Sequence, residues 1–352
     1  MNCVGGIEIP RDTQGNVCYV QTIHGTSSGI LSTNSLNEIR LYDYEQLAEK
    51  SFIGAQNSTI TSVKKQNDNI FITSGNDGIR VWDIRSANRV PVQEIKSILP
   101  ILSFDTSCDE QILIAGTEQV DTKRLKASSG SNSLAFSGKR LEDFQVALMF
   151  WDLRNTPAEM NIFLDTHSND ITQVKCHSTN KNVFLSASTD GLICTYDIEK
   201  EFNEDDSMQF SCNTNVSVQK SSYFGQNDDF IYSLSDMDNL SLWSLDGTLI
   251  SDYGRIGEQS PFTANLLNTT VDYSIDCLFD SSMTRLFLCV GDFEGRAHFL
   301  NVGVSGYEKV LSLEGGHNDI VRCIDCDFIN YKVITGGEDG KICLWSTQPA
   351  DY

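Results

Sequence analysis

One short pattern recurs seven times along the chain. An apolar-alternating run meets a tight turn, and a second run then ends on an aromatic or large apolar residue. FITSGNDGIRVWDIRS (71–86) and TGGEDGKICLWS (335–346) are the fullest copies. LNEIRLYD (36–43), ALMFWDL (147–153), SASTDGLICTYDI (186–198), DNLSLWSL (238–245) and EGRAHFLN (294–301) are the others. Asp-Gly at the turn supplies the positive backbone dihedrals that a tight two-strand connection needs. The closing residues are Tyr42, Trp82, Trp151, Tyr196, Trp243, Leu300 and Trp345, at spacings of 40, 69, 45, 47, 57 and 45. A repeat of that length matches a four-stranded propeller blade, and the two long spacings hold insertions.

Further strand-like runs lie between these marks, and no helical period interrupts them. A β-sandwich would not produce seven similar units. The expected fold is therefore all-β: residues 1–352 form a single seven-bladed β-propeller, each blade covered by its neighbours. The last unit reads KVLSLEGGH, IVRCIDCDF, KVITGGEDG and KICLWST, with only TQPADY after it. CVGGIEI near the N-terminus is expected to pair with the last blade, close the ring and cover an exposed edge. Residues 122–144 are expected to form a flexible insertion in blade three.

Composition excludes several function classes. A net charge of −22 argues against nucleic-acid backbones and anionic membranes as direct partners and permits a basic protein partner. No run of about 18 apolar residues suggests a membrane span. The first fifteen residues lack the basic and apolar segments of a secretory signal, so an intracellular location is expected, nuclear or cytoplasmic. The eleven cysteines then read as free or buried thiols. Cys323 and Cys326 have the spacing of half a zinc site. On a strand, however, an offset of three places the thiols on opposite faces, and no second pair matches them, so no metal is expected. Cys176-His177 is adjacent and strand-like. No nucleophile elbow and no phosphate cradle leading into a helix is present, so no catalytic residue, no cofactor and no enzyme activity are expected. Of the five histidines, His24 is expected in a blade-one connection, His177 at a strand end and His298 within a strand.

The hairpins resemble those of the WD-repeat family. The resemblance implies a buried network in which the turn aspartate is satisfied by a histidine, a serine or threonine, and a tryptophan. The last unit has all four members: His317, Thr335, Asp339 and Trp345. Blade four has His167, Ser186 and Asp190, with Tyr196 for the tryptophan. Blade two has Thr73, Asp77 and Trp82, with Gln56 or Asn57 where the histidine belongs. Blades one, five and six are degenerate and are expected to rely on packing. The stretches SFDTSCDEQILIAGTEQVD, THSNDITQV, SLEGGHNDIVR and TGGEDGKICLW further resemble one branch of small single-propeller WD-repeat proteins, often nuclear.

VWDIR ends on Arg85 and FWDLR on Arg154. Trp-Asp-x-Arg on successive blades resembles the docking box of substrate receptors for cullin-four ubiquitin ligases, in which the arginine faces the ligase's adaptor. Blade two fits the box from Phe71 to Arg85. Blade three keeps only its end. A non-enzymatic protein-interaction scaffold is expected, monomeric, docking an adaptor through Arg85 and Arg154. The alternative is an acidic escort or assembly platform for a basic nuclear or ribosomal protein. Two charged tracts stand outside the repeat. One is basic, with Lys123, Arg124, Lys126, Lys139 and Arg140. The other, DIEKEFNEDDSM (197–208), is acidic and reads as a solvated loop.

Overall fold

The structure is a computed structural model. It describes residues 1–123, 135–136, 139–140, 143–155, 158–258, 261–266, 269–304 and 306–346. Most of the 122–144 insertion, including Arg124 and Lys126, and the segment TQPADY after Ser346 lie outside the described residues.

Seven four-stranded antiparallel sheets follow one another around a ring. Blade one is Val20–Thr26, Gly29–Asn34, Glu38–Tyr42 and Glu49–Ala55. Blade two is Ile60–Lys65, Ile70–Gly75, Gly78–Asp83 and Gln93–Lys96. Blade three is Ile101–Thr106, Ile112–Thr117, Leu148–Asp152 and Asn161–Phe163. Blade four is Ile171–Cys176, Val183–Ser188, Leu192–Asp197 and Met208–Asn213. Blade five is Val218–Phe224, Phe230–Ser235, Asn239–Ser244 and Leu249–Arg255. Blade six is Tyr273–Asp280, Arg285–Gly291, Ala297–Gly303 and Gly306–Leu313.

Blade seven has Val321–Asp327, Lys332–Gly337 and Lys341–Ser346, and its outer strand is the N-terminal Asn2–Glu8. That strand pairs antiparallel with Lys341–Ser346, from Asn2↔Ser346 to Glu8↔Lys341. The ring is thus closed by the first strand of the chain, as the sequence implies. One boundary differs from the sequence reading. KVLSL belongs to Gly306–Leu313, which pairs with Ala297–Gly303 and completes blade six. The repeat read from sequence is offset by one strand from the blade, because the link SLEGGH joins two blades.

The seven closing residues explain why the pattern repeats. Each fills a different inter-blade core. Trp82 packs between blades one and two, Trp151 between two and three, and Tyr196 between three and four. Trp243 packs between four and five, Leu300 between five and six, Trp345 between six and seven, and Tyr42 between seven and one. An aromatic side chain is large enough to fill the wedge between two twisted sheets, and burying one contributes about 2–3 kcal/mol.

Every inner strand also carries a bulge within two residues of its start, for example between Val20 and Thr22, Ile171 and Gln173, and Val321 and Cys323. The extra residue raises the local twist, which lets each sheet lie against the next.

His24 lies within the inner strand of blade one rather than in a connection. Its Nε2 is buried and has no hydrogen-bond partner among the described residues. Burial lowers its pKa; Asp325 opposes this, while Lys175 and Lys65 add to it. His298, 4% exposed, is also lowered, mainly by burial and then by Lys309. For a base whose folded pKa is depressed, stability is full above the unfolded value near 6.5 and is lost as pH falls toward the folded value. Urea unfolding midpoints should therefore fall between pH 7 and pH 5. The His24→Gln, His298→Gln double variant should show a flatter profile over that window.

Candidate interaction surface

In blade seven the link before the inner strand carries His317, and the turn between the second and third strands carries Asp339. Trp345 Nε1 donates to Thr335 Oγ1 at 2.8 Å. Thr335 Oγ1 lies 2.7 Å from His317 Nε2, and His317 Nδ1 lies 3.1 Å from Asp339 Oδ1. With its proton on Nδ1, His317 donates to Asp339 and accepts from the Thr335 hydroxyl, which itself accepts from Trp345. The amides of Asn318 and Lys341 also donate to Asp339, at 3.0 and 3.1 Å. Burial pushes the Asp339 carboxyl up, but the bonds from His317 and these amides hold it below the usual range.

Blade four repeats the arrangement. His167 Nε2 lies 2.8 Å from Ser186 Oγ, and Nδ1 lies 3.1 Å from Asp190 Oδ2. Against the upward push of burial, His167 holds Asp190 at about 2. Tyr196 takes the tryptophan position by shape alone, stacking on Phe184 at 4.8 Å.

Blade two divides the network. Trp82 Nε1 donates to Thr73 Oγ1 at 2.9 Å, and Thr73 donates to Gln56. Gln56 thus replaces the histidine. Asp77 turns outward to Ser58 and to Arg80, whose Nη2 lies 2.6 Å away. In blade three Trp151 is buried without a partner for Nε1 among the described residues. Ala115 stands on the second strand where Thr335 stands in blade seven, two positions past the partner of the tryptophan.

The degenerate blades carry a device that strand-by-strand reading missed. In blades one and five the turn residues Asn37 and Asp238 adopt left-handed backbone, φ 59° and 61°. Each reaches the next blade. Asn37 Oδ1 accepts from the Ile60 amide at 3.0 Å, and Asp238 Oδ1 accepts from the Ser274 amide at 2.8 Å. In blade six Tyr273 accepts from the Val321 amide at 2.8 Å. Asn or Asp at a turn in place of Asp-Gly was the available signal, since both residue types tolerate this conformation.

Arg85 and Arg154 follow the third strands of blades two and three. In each antiparallel blade that end of the ring also carries the turn between first and second strands. The two arginines adopt the same geometry. Arg85 Nε and Nη2 donate to Asp83 at 2.9 and 2.7 Å. Arg154 Nε and Nη2 donate to Asp152 at 2.9 and 2.8 Å. The side chains are 65% and 64% exposed. Hydrogen bonds from the arginines pull both aspartates down to about 2.

The acidic tract is an ordered clasp rather than a solvated loop. Glu204 accepts from the Leu164 and Asp165 amides at 2.9 and 2.6 Å, at the edge of blade three. Asn161 donates to the Phe202 carbonyl at 2.7 Å, and Phe202 packs edge-on to Phe150 at 5.0 Å. Such a cover blunts an exposed strand edge. Within the basic tract, Lys123 pairs with Asp143 at 2.7 Å. His177, just past its strand, lies 3.6 Å from Asp228. Cys323 packs against the core between blades seven and one, and Cys326 against that between six and seven. Among the described residues no three His, Cys, Asp or Glu side chains gather as metal ligands, and no helix is long and apolar enough to cross a membrane.

Seven such blades and the histidine-aspartate networks define a class. The chain is an all-β, seven-bladed β-propeller that carries WD40 repeats, and WD-repeat proteins act as protein-interaction scaffolds, generally without enzymatic activity. Residues 159–197 and 308–346 match the family "WD domain, G-beta repeat". These are the two segments whose histidine-aspartate network is closed. Among relatives, the chain is similar to the WD repeat-containing protein 89 homolog of Dictyostelium discoideum, 25% identical over 95% of this chain and 84% of that protein. That protein stands in the branch suggested by the four stretches quoted above. WD repeat-containing protein GTS1 of Arabidopsis thaliana is 26% identical over 89% of this chain and 76% of that protein. Nuclear pore complex protein nup43 of Dictyostelium discoideum is 32% identical over 41% of this chain and 28% of that protein.

Proposed function

We propose that this propeller is a substrate receptor whose blade-two and blade-three rim docks the adaptor of a cullin-four-type ubiquitin ligase through Arg85 and Arg154. The observation that supports this reading is the repeated fork: two exposed arginines, on adjacent blades, at the same end of the ring and in the same conformation. Each uses two of its five N–H donors on its own aspartate and keeps three for a partner. The internal pair is solvent-exposed and screened, so a partner carboxylate or carbonyl can take its place at little cost. Partial similarity to a nuclear pore protein supports a nuclear setting for this work.

Purified adaptor propeller, titrated in biolayer interferometry, should bind wild type and lose about tenfold or more in affinity for the Arg85→Ala, Arg154→Ala double variant. Unchanged affinity would remove the reading. A second reading, an acidic escort for a basic client, is favoured by the charge of −22 and by Glu201, Asp205 and Asp206, exposed on the anchored clasp. A client held that way dissociates steeply with added salt, whether or not the arginines are present.

A further inference from the structure

On the same end of the ring, across from Arg85 and Arg154, the turns of blades six and seven frame an apolar slot of about 220 Å³. Its floor is Phe287, Phe299, Phe328 and Val333. Its lip is Met283, Val310 and Tyr331, 48%, 50% and 55% exposed. Ile329 stands beside it, 84% exposed. Isolated exposed apolar residues are ordinary, but four large ones around an open apolar slot mark a contact surface. The slot is smaller than the ~300–1,000 Å³ of typical small-molecule sites, so it suits one or two side chains rather than a cofactor.

A polar cavity of about 660 Å³ adjoins it, and the two share Asp280, Cys326, Asp327 and Phe328. Asp280 is the informative residue. It is 3% exposed, and the Ser282 hydroxyl and the Ser282 and Met283 amides all donate to its Oδ1. Among the described residues its Oδ2 takes no hydrogen bond, and Asp280 lines both the slot and the cavity. A carboxylate held so tightly on one oxygen, with the other open, is a preorganised acceptor for a cation. The cavity's own lysines are engaged elsewhere: Lys65 with the Gly25 carbonyl at 2.9 Å and Asp68 at 2.8 Å, and Lys332 over the Tyr44 ring at 5.5 Å. Arg285 also lines the slot; it stands opposite Asp280 across the blade-six hairpin and its charge helps hold that carboxyl down, without forming an ion pair with it. The net charge of −22 favours the approach of basic segments over acidic ones.

We propose that the slot between blades six and seven docks a partner segment carrying one large apolar side chain next to a lysine or arginine, the apolar group entering the slot and the cation meeting Asp280. This goes beyond the adaptor reading and does not depend on it, because the two surfaces share no residue.

The test is fluorescence anisotropy with fluorescein-labelled decapeptides. Each carries Leu, Met or Phe at its centre and Lys or Arg one to three positions away. Companion peptides replace the anchor by Ala or the basic residues by Glu. At least one apolar-basic peptide should bind wild type, and both companions should bind about tenfold more weakly or not at all. Met283→Glu, at an exposed position, should abolish binding. Asp280→Asn retains the Oδ1 acceptor of the turn and should weaken the basic peptide about tenfold while leaving its Glu companion unimproved. The Arg85→Ala, Arg154→Ala variant should bind like wild type, so failure here and failure of the adaptor reading are separable. Absence of binding by every peptide, or binding indifferent to Met283→Glu and to the anchor, would overturn the proposal.

Discussion

His317→Ala should lower the unfolding free energy by about 3 kcal/mol, read as a shift of the urea midpoint at unchanged slope. The substitution removes the only side chain that bonds both Thr335 and Asp339 in blade seven. It leaves a carboxylate that is 9% exposed with two amide donors and the Lys341 ammonium 4.0 Å away. Breaking a buried polar chain costs more than its net value when intact, because the remaining groups stay desolvated. His167→Ala should cost a similar amount, since Asp190 loses the same partner. Gln56→Ala should cost less, about 1 kcal/mol, because Asp77 has already turned to Arg80 and no charge is stranded. A midpoint for His317→Ala within about 0.5 kcal/mol of wild type would show that packing alone holds this blade.

Deleting residues 1–8 should have a larger effect. The deletion strips the outer strand from blade seven and exposes the Lys341–Ser346 edge. It also removes Ile7, 5% exposed, from the core between blades seven and one. Burying one isoleucine contributes about 2 kcal/mol, and the lost ladder bonds add about 1 kcal/mol each. The sum is comparable with the whole stability of an ordinary domain, about 5–15 kcal/mol. The truncated chain should therefore elute as an aggregate or an expanded species in size-exclusion chromatography, since a bare edge invites pairing with other chains. A synthetic peptide of residues 1–10 added during refolding should restore the monomer. A truncated protein that is monomeric, with an unchanged thermal midpoint, would contradict closure by this strand.

These two variants mark what the sequence made legible. Tyr42, Trp82, Trp151, Tyr196, Trp243, Leu300 and Trp345 announce the ring because each must fill one inter-blade wedge, and a wedge recurs with every blade. CVGGIEI was readable as the missing strand because the last unit ran out of residues after Trp345. The partners of turn residues were less legible. Asn37 bonds Ile60 and Asp238 bonds Ser274, 23 and 36 residues onward, and nothing in the period of one hairpin encodes a contact to the next blade. Asp77 matches the family position yet faces Arg80, because Gln56 in the histidine's place carries no charge to set against a buried carboxylate. The acidic tract reads as solvated by composition alone. Its anchoring through Glu204 depends on the open edge of blade three, which only the assembled sheet reveals. At the rim, Trp-Asp-x-Arg was visible as a motif, but the fold-back of each arginine onto its aspartate was not.

The central claim is that the forked arginines of blades two and three are a docking surface. The most direct measurement is affinity purification of the tagged protein from its native cells, wild type beside the Arg85→Ala, Arg154→Ala double variant, with partners identified by mass spectrometry. The account predicts that a cullin-four adaptor accompanies wild type, persists at moderate salt and is missing from the double variant. Identical partner lists from the two proteins would contradict it, and would leave both arginines as exposed ion pairs with no partner to meet.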